Sequence, residues 1–322
     1  MSVYPSSCRF VFVNDFEWQS NKWNSYYGIQ NQLKTLFKTV NYEAKNADNF
    51  KTDDLNSEIS AAFGYFANLS FYKNDEMAKN NHLIKPKLMI RYAPGHMRKL
   101  NTGSPLKYSN LFNFNKTQDI DVIETGLSTA LGFEYKKSNL LNDKTIGEEK
   151  LSFGIGQIIN SEENEKIHAK TSLNQRFSDV VGDSSFSISK NLKLNYNFSI
   201  DQNYNDFNYN EISSDFLTKN TKFNIGYLEE KNHIGNQEYL KTDLEVNLSD
   251  SGRIGFATKR NLLTNSAEFY NLSYNYINDC LKAGILYRRE FYTDRDIEPE
   301  NSIMFTISLV PFGDINSPKF DR

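Results

Sequence analysis

Cysteine is scarce in this chain: Cys8 and Cys280 are its two. A pair so placed excludes a disulfide-dense scaffold and offers none of the close Cys/His spacings that hold zinc. Basic charge is not in excess either. With a net charge of -3 and an isoelectric point near 5.9, the chain lacks the concentrated positive face that nucleic acid demands, and that partner is set aside. Long apolar runs are missing. A spanning helix needs about 18 consecutive apolar residues, whereas the runs here are as short as the four of Phe10 to Val13. The stretch from Met1 to Trp18 has no basic segment followed by an apolar core, so no secretory signal is visible. Catalytic constellations are absent too: His82, His96, His168 and His233 are scattered without an HExxH pair, no serine sits in a GxSxG elbow, and no glycine loop cradles phosphate. The sequence therefore predicts no enzyme, no metal and no cofactor.

What the chain has is aromatic residues and alternation. It carries 24 Phe and 19 Tyr, yet 24% of its 322 residues are charged and its mean hydropathy is -0.62. That combination fits neither disorder nor a bundle of membrane helices. From Asp121 to Lys136 the odd positions Ile123, Thr125, Leu127, Thr129, Leu131, Phe133 and Tyr135 are large, while Glu124, Gly126, Ser128, Ala130, Gly132 and Glu134 are small or charged. A period of two puts the sets on opposite faces of a strand. One large apolar face and one small or polar face is the pattern of a membrane-barrel strand between lipid and lumen. Ile123, Leu127, Leu131 and Phe133 are thus expected to face lipid, and Glu124, Gly126, Ser128 and Glu134 the lumen.

The same period recurs along the chain. A strand is expected over Arg9 to Gln19 and another between Trp23 and Glu43, and Asp54 to Lys73 alternates without a break through Ile59, Phe63, Tyr65, Leu69 and Phe71. His82 to Ala93 ends at Pro94-Gly95. The polar residues from 94 to 121 are too many for a hairpin turn and predict an excursion at a rim or into the lumen. After Glu149 to Asn160 a polar segment runs to Asp183, followed by a hairpin around Asn191 and evenly spaced strands to Phe312. Counted together, about 15 strands with short connections predict an all-β, up-and-down antiparallel transmembrane barrel, as one region covering the whole chain.

Several stretches then carry a family resemblance: KPKLMIRYAPGHMRKL from Lys85, the NLF of Asn110 to Phe112, the strand from Asp121, and the terminal run from Tyr274 to Gly313. Together they resemble the C-terminal barrel region of LptD, the lipopolysaccharide-assembly family, in its alphaproteobacterial form, from about Lys85 onward; the first 80 or so residues fit by pattern alone. The resemblance implies an integral protein of the Gram-negative outer membrane that pairs with an LptE-like lipoprotein plug. It implies receipt of lipopolysaccharide from a periplasmic Lpt bridge and release into the outer leaflet through a lateral seam. The family's signal peptide, periplasmic domain and earlier strands have no counterpart here, which reads as the C-terminal part of a longer protein or a truncated gene. A generic porin or receptor barrel and a β-rich surface adhesin are the alternatives; no fixed-period repeat supports the latter.

On the same resemblance, Cys280 stands where family members carry cysteines that bridge to the periplasmic domain, and a free buried thiol is the other reading. The seam would involve the last strand, with Ile303, Phe305, Ile307 and Leu309 alternating before Pro311, whose missing donor suits an edge. Lys85, Lys87, Arg91, His96, Arg98 and Lys99 form a basic cluster that could meet lipopolysaccharide phosphates. Charged rim and lumen residues are ordinary in barrels, and where the family commonly has an Arg after NLF this chain has Asn115 and Lys116. Asp119, Asp121 and Glu124, and the acidic run Asp294 to Glu300, do not match a calcium loop and are read as solvated loop carboxylates.

Overall fold

The computed structural model describes residues 8–45, 50, 55–141, 145–291, 301–309, 313–316 and 320–321. They form a long antiparallel meander rather than a layered core. Strands β1 (Cys8–Gln19), β2 (Trp23–Asn24), β3 (Gln30–Lys45), β4 (Asn56–Asn68), β5 (Phe71–Asp75), β6 (Asn80–Ala93), β7 (Gly126–Leu141) and β8 (Thr145–Asn160) lie in a first compact unit. Strands β9 (Val180–Ser189), β10 (Leu192–Ile200) and β11 (Phe207–Leu217) each contribute to both units. The second unit continues with β12 (Thr221–Glu230), β13 (Gln237–Asn247), β14 (Gly252–Asn261), β15 (Ser266–Ile277), β16 (Leu281–Glu290), β17 (Asn301–Leu309), β18 (Gly313–Asn316) and β19 (Phe320–Asp321). Sequential pairing runs β1–β3–β4–β6–β7–β8 in the first unit and β11 through β18 in the second. The expected hairpin around Asn191 is the β9–β10 pair. Tight connections use residues that tolerate a left-handed backbone, such as Asn232 and Asn265 at φ of 56° and 51°.

Several boundaries differ from the sequence reading. The strand expected from Asp121 begins at Gly126; Asp121 to Thr125 belong to the excursion, which therefore spans residues 94–125. Ile123 is consequently 2% exposed in the interior instead of on the lipid face. The alternation from Asp54 to Lys73 is interrupted between β4 and β5. Both keep one register against β6, with Asn68 opposite Lys87 and Phe71 opposite Ile84, so the gap falls where Pro86 faces Leu69. Leu69 N–H still donates to the Pro86 carbonyl at 3.2 Å, but Pro86 has no N–H to return, and the ladder lapses for want of a donor. The chain also continues past β17 into the short β18 and β19, giving 19 strands among the described residues where about 15 were expected.

The two faces of the first unit are chemically distinct. On one, Phe16, Phe37, Phe63, Tyr92, Leu127 and Leu131 are each more than one-third exposed, from successive strands with no protein cover. So extended an apolar surface marks contact with another apolar phase. On the other face, Leu36, Val40, Ala62, Met89, Ala130 and Ile158 are buried. This confirms the sidedness read for Leu127, Leu131 and Phe133 against Ser128. Ile90→Arg, on the same exposed face, should accordingly destabilise folding into bilayer vesicles by about 2–4 kcal/mol, the cost of an Arg on the lipid face near the midplane. A urea titration showing no loss would reverse the faces.

Candidate functional site

The covered face of the first unit is filled by its own connections. Residues 94–125 fold back onto the wall, and Met97, Leu100, Leu106, Leu111 and Val122 join Met89, Ala130, Ile158 and Val181 in one buried cluster. Ile167 and Leu173 enter it from the polar segment after β8, which the sequence left unplaced. Each such side chain contributes about 1.5–3 kcal/mol of burial. A single turn at Tyr108–Asn110 steers the chain inward, Asn110 Oδ1 accepting the Lys107 N–H at 2.8 Å. The NLF residues then meet the wall where it lacks side chains. Phe112 lies over Gly132, Leu111 over Gly156, Tyr108 over Gly154 and Phe114 over Gly64. The small set of the alternating pattern is thus a row of sockets.

Charge locks the insert in place. Arg91, on β6, is 1% exposed and donates to the Phe114 carbonyl at 2.7 Å and the Glu124 carbonyl at 3.0 Å, with the Glu124 carboxylate at 3.5 Å. Lys38 of β3, also 1% exposed, reaches Asp15 at 3.0 Å and the Ile120 carbonyl. Arg98 pairs with Glu58 at 2.8 Å and Asp121 at 3.4 Å and lies 4.2 Å from the Phe50 ring centre. Lys87 pairs with Glu134 and lies 5.6 Å from the rings of Tyr108 and Phe112. Buried cations such as Arg91 and Lys38 are tolerable because each is both paired and hydrogen-bonded.

The predicted basic cluster is therefore divided. Lys87, Arg91 and Arg98 hold the insert, while His96 and Lys99 are exposed. The reading of Asp121 and Glu124 as solvated loop acids is corrected: both are clamp partners, and Asp119 Oδ1 accepts the N–H groups of Asp121 and Val122, each at 3.0 Å. Lys38 was missed, although a lysine among Leu36, Val40 and Tyr42 on the inward parity was its signal. Cys280 is exposed, beside Asn278 in the turn before β16. Ile303, Phe305, Ile307 and Leu309 are exposed along one side of β17, whose edge away from β16 is taken by β18 and β19. Pro311 and the acidic run Asp294 to Glu300 lie outside the described residues.

A second polar knot lies in the same unit. Asp179 is 1% exposed, and its Oδ2 accepts from Ser199 at 2.8 Å and Asn208 at 3.0 Å, with His233 Nε2 at 3.1 Å. The Asp179 carboxylate at this distance raises the His233 pKa above its ordinary value, against burial. A raised histidine pKa stabilises the fold fully below about pH 6.5, and the gain fades as pH rises through the folded value. Amide exchange of residues 232–235 should therefore speed several-fold on going from pH 6 to pH 9, after correction for intrinsic rates. In Asp179→Asn the pH step should vanish; a step that persists there removes the pair as its cause.

The second unit's face is built differently. At one level of the register, Asp215, Asn224, Asp243, Ala257, Asn271, Arg288 and Ser302 succeed one another across seven strands. Asn224 donates to Asp215 at 2.7 Å and Lys241 pairs with Asp243 at 3.1 Å. A cavity of about 550 Å³ opens over this row. Its opposite parity exposes Ile212, Phe256, Leu272, Ile285 and Phe305. Among the described residues no group of three or more His, Cys, Asp or Glu could hold a metal.

Among solved structures, a triple mutant of Rhodopseudomonas blastica porin has 10% identity and a TM-score of 0.34, with 83% of this chain and 92% of that one covered. Another mutant of the same porin has 10% identity and a TM-score of 0.35, covering 97% and 100%. No curated protein matches. The family model for LptD, described as LPS transport system D, matches residues 14–251. That match starts well before Lys85, taking in strands that had fitted by pattern alone, and stops short of the terminal run from Tyr274. It covers well over half of the 322 residues, and its subject is the class of wall the alternating faces describe: the chain belongs to the LptD family of lipopolysaccharide transport proteins.

Proposed function

We propose that this chain forms part of the outer-membrane translocon barrel that delivers lipopolysaccharide to the outer leaflet through a lateral seam. The observation that carries the reading is the contrast between the two faces described above. The first unit's covered face is packed with its own insert, whereas the second unit's polar row is open. A row of Asp, Asn, Lys, Arg and Ser offers hydrogen bonds of both kinds to a sugar head group, and the bare apolar face matches acyl chains. Transport of this kind needs no covalent chemistry. The partners that follow are the lipopolysaccharide itself, an LptE-like lipoprotein plug and the periplasmic Lpt bridge, and Cys280 is placed on an exposed turn where a partner cysteine could reach it.

The seam is proposed along the edge of β17 that carries, among the described residues, the four of β18 and the two of β19. Pairings so short are weak joins, and His96 and Lys99 remain the exposed cations of the basic cluster for phosphate contact. Paired cysteines at Ile307 and Ile315, which are register partners, test it in the protein assembled in cells. Delivery of lipopolysaccharide to the surface should stop on oxidation and resume on reduction. Normal delivery through a verified cross-link would remove the seam and leave the family assignment intact. Co-purification of a lipoprotein plug separates this reading from a generic porin.

A further inference from the structure

A cavity of about 310 Å³ opens where β6 ends and β7 begins, bounded by the insert and by residues 160–164. Its inner wall includes Arg91, Lys116, Glu124 and Ser128, each at most 5% exposed. Arg91 and Glu124 answer one another, so the surplus charge is that of Lys116. Its ammonium bonds to Ser128 Oγ, the one acceptor recorded for it among the described residues, although an ammonium carries three donors. A buried, under-used cation at a cavity wall is costly unless something anionic meets it. At the mouth stand two exposed carboxylates, Glu162 and Glu163. Tyr92 and Leu127 also border the cavity, at the rim where β6 ends and β7 begins, and turn to the opposite, bare apolar face, 52% and 44% exposed.

We infer that this cavity holds the head group of a phosphoethanolamine lipid, its phosphate on Lys116 and Ser128, its ammonium at Glu162 and Glu163, and its acyl chains passing over the rim of the wall onto Tyr92 and Leu127. The charge pattern selects the ligand. A cationic wall alone would suit any phosphate, but acidic residues at the mouth oppose a purely anionic head group and welcome a primary ammonium that donates hydrogen bonds. A quaternary ammonium cannot donate. The neighbouring apolar face supplies what a soluble ligand would not use. The site is independent of the cargo assigned to the barrel, and it stands if the seam does not.

Burial, reinforced by the charge of Arg91 and opposed by that of Glu124, pushes the Lys116 pKa down to about 7. A phosphate arriving there restores the proton, so retention should be stronger at pH 6 than at pH 8. Arg91, Glu124, Glu162 and Glu163 are the charged groups around it.

Native mass spectrometry of the full chain folded in detergent tests the site with phosphatidylethanolamine, phosphatidylglycerol and phosphatidylcholine of matched chains. The ethanolamine lipid should be retained about tenfold over either rival, a difference of about 1.4 kcal/mol. Lys116→Met should reduce retention of every phospholipid. The double variant E162Q/E163Q alters two exposed side chains and should erase the head-group preference while the protein stays folded. Excess soluble phosphoethanolamine or inorganic phosphate should not displace the lipid. Equal retention of the three lipids, an unchanged preference in the double variant, or displacement by the soluble anions would each overturn the assignment.

Discussion

An Arg91→Met substitution is expected to cost about 3–5 kcal/mol of folding free energy, the penalty for breaking a buried, hydrogen-bonded ion pair. The guanidinium satisfies two backbone carbonyls, of Phe114 and Glu124, besides facing the Glu124 carboxylate. Methionine fills the space and supplies none of this. Glu124, 4% exposed, would keep its charge with only the Lys116 N–H, at 2.9 Å, and Thr117 Oγ1, at 3.5 Å, as recorded donors. Adding Glu124→Gln removes the stranded charge but keeps an acceptor for Lys116, so the double variant should recover part of the loss. A double-mutant cycle by urea titration of the folded protein measures the coupling. A single-variant loss below about 1 kcal/mol, typical of an exposed pair, would mean that Arg91 does not hold the insert.

Gly156→Ala should be nearly as damaging, although it adds a single methyl group. That carbon would lie 2.5 Å from the Leu131 carbonyl oxygen and 3.1 Å from Gly132 Cα, besides striking Leu111. A side-chain tip could swing away, but these are backbone atoms of the paired strand. Overpacking of this kind costs about 1–3 kcal/mol, and more where backbone must move. Gly226→Ala is the control, since its added carbon would have its nearest neighbours at 3.8 and 3.9 Å. Gly156→Leu goes further by taking the space of Leu111, and tryptic cleavage at Lys99 or Lys107 should then become rapid. Equal stability of the two alanine variants would deny that the glycines are sockets.

Much of the wall was legible because a strand writes its two faces at alternate positions. Leu127, Leu131 and Phe133 could be told from Ser128 and Ala130 by parity alone, and the family could be seen in the motifs around Arg91 and Leu111. The insert was not legible in the same way. Its placement depends on which socket receives which side chain, and nothing local says that Phe112 belongs over Gly132 or Leu111 over Gly156. The carboxylates misled for a related reason: Asp121 and Glu124 look like solvated loop residues until Arg98 and Arg91, 23 and 33 positions away, are brought to them. The interruption at Leu69 was hidden because Pro86 acts on the neighbouring strand, leaving the alternation of Asp54 to Lys73 intact.

The missing donor at Pro86 also gauges depth. Hydrocarbon offers a carbonyl no substitute partner, so the Leu69 oxygen opposite Pro86 cannot lie deep in the bilayer without a penalty of several kcal/mol. The outward parity agrees: Leu88, Ile90 and Tyr92 lie on one side of Pro86, whereas beyond it Ile84 gives way to His82, Lys73 stands on β5, and Lys137 on β7. The hairpin of β5 and the first half of β6 is then a collar standing in water above or below the lipid, continued by the far halves of β7 and β8. A spin label at Lys73 should relax with aqueous paramagnets and one at Ile90 with oxygen dissolved in the lipid. One proline thus fixes the waterline of a wall whose strands are otherwise too long to show where the membrane stops.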